Sequence, residues 1–155
     1  MSPKLRAILV GGSIAGALDI LFAISFAAYG GRTPVWLLQT VATGLLGENA
    51  YAGGWAAAAL GLAGHFAMSF GWAALFVLAA ARVPRLIERP VMYGLLFGAI
   101  VFVAMRLAIL PLSAFPYPVS FTSLGARLDL VSHLLFFGLP IAWAAARYLA
   151  PAKQS

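Results

Sequence analysis

Cysteine is absent from this chain, and charge is scarce. Four acidic and ten basic residues among 155 make it only 9% charged. Without cysteine there is no disulfide, no thiolate metal ligand and no thiol nucleophile, although the compartment stays open. A soluble globular chain is about one quarter charged and roughly half apolar. Here 63% of the residues are hydrophobic and the mean hydropathy is +0.98. Such a chain lacks the polar surface to cover a folded domain in water. That excludes a soluble enzyme, a disordered tail and a nucleic-acid module. The net charge of +6 does not argue otherwise, because the basic residues sit at the ends of apolar segments and not on one face. Also missing are a phosphate loop, a Ser–His–Asp arrangement and a zinc-protease motif. Gly11-Gly12-Ser13 follows no strand, so it is a packing feature. No catalytic residue is expected.

What is there is four long apolar runs. A hydrocarbon core of about 30 Å needs about 20 helical residues to cross it. The runs cover about 7–28, 54–81, 91–110 and 128–149, the third stopped by Pro111 and the fourth ended near Pro151. In lipid each must be helical, since unpaired backbone groups cost too much there. The first run is too long for a cleaved signal peptide and carries Asp19 at its middle. The expectation is a single all-α transmembrane domain over 1–155, a four-helix bundle.

Lys4, Arg6, Arg82, Arg85, Arg89, Arg147 and Lys153 flank one side of these runs, and Arg32 and Arg127 the other. The positive-inside rule therefore places both termini in the cytoplasm. The opposite loops are the elaborate ones. Thr33 and Pro34 read as the N-cap and first residue of a short helix over about 33–46, ended by Gly44 or Gly47 and too short to span. SAFPYPVSFTSLGAR, between runs three and four, reads as an extended amphipathic cap at headgroup level. The inner connector RVPRLIERP is plain and basic.

Ionisable groups inside a spanning helix are expensive, at least ~2.5–3.5 kcal/mol on insertion scales, and they mark function by default. Asp19, His65, Arg106 and His133 all fall in the outer half of the expected bundle. Asp19 shares a helical face with Gly12, Ala15, Gly16 and Ala23, so it points inward. Arg106 is its expected counter-ion. The pair reads as an anion or proton site, as an ion pair fixing helix packing, or as an arginine snorkelling outward. Asp129 lies one turn before His133 on the same face and is expected to hold its imidazole. His65 and His133 read as interior histidines bonded to protein groups, or as axial ligands of a haem b, with Gly61, Gly64, Gly94 and Gly98 making room for it. No cofactor is expected on the first of these readings. Glu48, with Asn49, reads as a solvated outer-loop charge or a lid residue. Pro140, inside the fourth run, removes a donor and leaves the Phe136 carbonyl free.

A faint repeat runs through the chain. Gly12-x-x-x-Gly16 and Gly94-x-x-x-Gly98 open the two halves; Gly64-His65 and Ser132-His133 follow. The elements GALDI, LQTVATGLLG at 38–47, GLAGHF at 61–66, MRLAILPLS at 105–113 and SHLLFFGLP at 132–140 resemble those of a family of small, YagU-like bacterial inner-membrane proteins. The resemblance covers nearly the whole chain. It implies four helices, recurring histidines at positions 65 and 133, and a bacterial inner membrane. The polar residues and glycine faces, rather than the resemblance, leave three functions as expectations. The first is binding or permeation of a small molecule or proton. The second is a structural or accessory subunit, or a homo-oligomer, joined through glycine faces in the lipid bilayer. The third is a haem protein or membrane enzyme.

Overall fold

The structure is a computed structural model that describes residues 1–150; Pro151 and Lys153 lie outside the described residues. The described residues are helical, without strands. The principal helices are α1 (Pro3–Tyr29), α2 (Pro34–Leu46), α3 (Gly54–Ala80), α4 (Pro90–Leu112) and α5 (Leu124–Leu149), with a single turn, Arg85–Glu88, between α3 and α4. Four segments are long and apolar enough to cross a membrane: α1, the stretch Pro34–Ala80, α4 and α5.

Four of these five starts carry a side-chain cap or a first-turn proline. Ser2, Thr33 and Ser123 accept from Leu5 N, Trp36 N and Ala126 N through their side chains, and Pro3, Pro34 and Pro90 stand in first turns. The Ser123 cap starts α5 four residues earlier than the apolar run suggests. Between α2 and α3 lies a 3-10 segment, Gly47–Gly53. Gly47 and Gly54 take φ of 58° and 55°, values that side chains disfavour, and there the chain folds α2 back onto α3. The Leu38 carbonyl of α2 occupies the space where a Cβ on Gly61 would stand. Gln39 is buried, and its Nε2 donates to the Gly54 carbonyl at 3.0 Å. At the far end of α2, Ala114 N donates to the Gly44 carbonyl at 3.0 Å. So α2 joins the start of α3 to the end of α4.

α4 does not stop at Pro111; it continues to Leu112. The reason is a widened turn. Met105–Ile109 in α4 and His133–Gly138 in α5 are π-helical. A proline has no N–H and crowds the carbonyl four residues back. For Pro111 that residue is Leu107 and for Pro140 it is Phe136, and both fall within the π segments. The wider hydrogen-bonding register absorbs the misfit without ending the helix, as single π turns do, often at functional positions.

α5 is the hub. It packs along α1 on one side and α4 on another, while α1 also packs on α3. The glycines set the distances. Gly11 lies against Ile141 and Ala144; Gly12 and Gly16 meet Phe70, Phe66 and Ser69 of α3; Gly94 and Gly98 meet Gly138, His133 and Leu134 of α5. Each G-x-x-x-G thus faces the helix that carries a histidine in its own half of the chain. All these glycines are buried within the chain.

Candidate polar site

Asp19 on α1 is half-buried, and its Oδ1 accepts from Ser132 Oγ on α5 at 2.6 Å. Arg106 is not its partner. The Nη2 of Arg106 donates to Asp129 Oδ2 at 2.8 Å and its Nη1 to the Ser120 carbonyl at 2.8 Å. The expected Asp19–Arg106 pair fails because α5 packs against both α1 and α4 and presents its own carboxylate to the arginine. Nor does Arg106 snorkel outward. Its side chain is 14% exposed and its guanidinium lies 4.6 Å from the centre of the Phe102 ring. Its Nε is buried with no hydrogen-bond partner.

His133 takes the i,i+4 relation to Asp129 expected from its spacing. Its Nδ1 lies 2.9 Å from the Asp129 carbonyl and 3.3 Å from Oδ1. A carbonyl only accepts, so Nδ1 carries the hydrogen and the neutral ring bears its lone pair on Nε2. The ring is flanked by Phe102 and Phe137. Asp19, Asp129 and His133 each offer one atom, and these three atoms lie within 4.8 Å of one another. Three helices therefore converge on one polar cluster: Asp19; Arg106; Asp129, Ser132 and His133. Arg106 and His133 each lie in a π segment.

His65 stands apart. Its Nε2 donates to the Gly16 carbonyl at 2.8 Å, and one turn on Ser69 Oγ donates to the Gly12 carbonyl at 2.7 Å. These two bonds staple α3 to α1 at the glycine face. The haem arrangement does not fit this geometry. Of the four glycines expected to make room for the ring, Gly61, Gly94 and Gly98 each have neighbouring backbone in the space beside them, and only Gly64 faces open space. Glu48 is exposed and adds its charge to the surroundings of Tyr117. Tyr117, outside the long helices, is pushed up to about 12 by the neighbouring Tyr51 hydroxyl. Tyr51 in turn bonds Thr40 Oγ1 at 3.1 Å and stacks on Trp36.

Sequence reasoning missed Ser132 as the donor to Asp19 and the Ser120 carbonyl under Arg106. Asp129, expected only to hold the His133 imidazole, is the hub of the cluster and binds Arg106 as well. Ser132 was legible only as the neighbour of His133, because a serine in a helix carries no long-range signal. No family model, curated protein or solved structure matches this chain.

Proposed function

We propose that this chain is a multi-pass protein of a bacterial inner membrane, and that it binds or passes a small polar species, a small molecule or a proton, at the Asp19–Arg106–Asp129–His133 cluster. One observation carries the reading. Ionisable side chains from three helices gather inside segments apolar enough to cross a membrane: Asp129 bonds Arg106 at 2.8 Å, and Asp19, Asp129 and His133 bring one atom each within 4.8 Å of the others. The outward faces support the setting. Leu21, Leu75, Leu96 and Trp143, one on each long helix, are all more than half exposed and need lipid around them. The distribution of basic residues supports cytoplasmic termini, with α2 and residues 113–123 capping the outer side. A likeness to YagU-like proteins is part of the same reading. Reconstituted in phospholipid vesicles with a trapped pH dye and a clamped potential, the chain is expected to pass protons. Asp19→Asn and Asp129→Asn should cut the flux by at least about tenfold, a barrier raised by about 1.4 kcal/mol or more. Flux unchanged in both variants would overturn the role of the cluster.

A second reading, an accessory subunit or homo-oligomer, is favoured by α3. Ala59, Ala63, Ala67 and Gly71 are exposed at four-residue spacing, and a Cβ on Gly64 or Gly71 would meet nothing. Small residues at that spacing let a second membrane helix approach closely. Cross-linking through Ala67→Cys in native membranes tests it; a monomer with no adduct counts against it.

A further inference from the structure

The cluster contains unequal numbers of opposite charges. Asp129 is matched by Arg106 at 2.8 Å. Asp19 has a neutral hydroxyl, Ser132, as its hydrogen-bond partner. Among the described residues no lysine or arginine stands within ion-pair distance of Asp19. A carboxylate left unmatched in a region of low dielectric is strongly disfavoured. The groups facing it are few. On α5 they are His133, Asp129 and Ser132; on α4, Arg106; on α3, His65, which is bonded to the Gly16 carbonyl one turn before Asp19. Of these, His133 is the base grouped with both carboxylates, one atom of each of the three residues lying within 4.8 Å of the others.

We propose, resting on the binding reading above, that the occupant of this site is one proton held in common by Asp19 and His133. When the proton is on His133 Nε2, the imidazolium is balanced by the Asp19 carboxylate. When it is instead on Asp19, a neutral imidazole and a carboxylic acid remain. Arg106 and Asp129 cancel in both forms, so each is neutral overall. An anion is disfavoured because the cluster without the proton is already net negative. A hard metal cation is disfavoured because it takes six or more oxygen ligands, and Arg106 already occupies Asp129.

Asp19 and Asp129 are the only aspartates in the chain, and His65 and His133 the only histidines. Protein labelled with carboxyl-13C aspartate and ring-15N histidine therefore gives a readable spectrum. The experiment is NMR of the full chain in phosphatidylethanolamine–phosphatidylglycerol nanodiscs, titrated from about pH 5 to 9. The expected result is one coupled step in which the Asp19 carboxyl and the His133 ring move together at a single midpoint, as a shared proton demands. The Asp129 carboxyl should stay ionised throughout. Asp19→Asn should abolish the step, Asp19→Glu should restore it, and Arg106→Gln should add a second. If a variant does not fold, the titration of the unaltered chain decides. Independent or absent movement of the two groups overturns the proposal. So do resonances that follow sodium chloride concentration at constant pH, which would make the occupant an alkali cation. A coupled step without vesicle flux counts against permeation alone; flux without the coupled step counts against the shared proton alone.

Discussion

Replacing Asp129 with asparagine leaves Arg106 without its anion. The Arg106 side chain is 14% exposed and its Nε already has no partner, so only the Ser120 carbonyl and the Phe102 ring would remain to it. Removing one member of a fully buried pair costs ~3–5 kcal/mol in soluble proteins. The Asp129 side chain is 39% exposed, and screening by solvent lowers that figure, so about 2–3 kcal/mol is expected. Arg106→Gln should cost a similar amount. The double variant Asp129→Asn with Arg106→Gln should recover about 2 kcal/mol of the sum, because no charge is left stranded. The control is the cycle of Asp19→Asn with Arg106→Gln. With Asp19 bonded to Ser132, that cycle should show a coupling at least ~1 kcal/mol smaller than the Asp129 cycle. The assay is unfolding of the purified protein in mixed micelles by titrated sodium dodecyl sulfate, followed by tryptophan fluorescence. A Asp129–Arg106 double variant as unstable as the two singles added, or a larger coupling through Asp19, would refute the pairing.

Gly98→Ala should destabilise by ~1–3 kcal/mol in the same assay, because the added methyl meets the His133 carbonyl and backbone cannot yield as a side chain does. Gly64→Ala, whose methyl meets nothing, should be neutral or stabilising by up to about 1 kcal/mol. His65→Ala should lose about 1 kcal/mol, the worth of one interhelical hydrogen bond, and should lower stability no further when Gly16 packing is kept. Tyr117 should ionise late, near the value of about 12 to which it is raised, read as tyrosinate absorbance that Tyr117→Phe removes. Because the folded chain holds that proton more tightly than the unfolded one, the contribution is complete below about pH 10. It is lost as pH climbs toward 12. A cytoplasm-dependent reporter joined after Ser155 should be active; activity of an export-dependent one would invert the orientation.

Run length is local, and the sequence alone sufficed to count the long helices, though not to place every end: α5 starts at Leu124 and α4 runs past Pro111. Four apolar stretches demanded four helices, and Thr33 with Pro34 marked the start of α2 before any contact was known. The Asp129–His133 relation was equally legible, since four residues on a helix always share a face. Pro111 and Pro140 announced a misfit in the hydrogen-bond ladder, but not that it would be taken up as π turns. What only the tertiary structure decided is which face meets which helix. In soluble proteins a polar side marks the outside of a helix. Here exposed leucines lie on the outside as buried alanines do within, so periodicity singles out a face of Asp19 or Gly98 but not its neighbour. Placing α5 as the hub gave Arg106 to Asp129, gave Asp19 to Ser132 and closed the glycine faces on the chain itself. Those assignments depend on residues far apart in sequence, and only close packing of backbones brings them within reach.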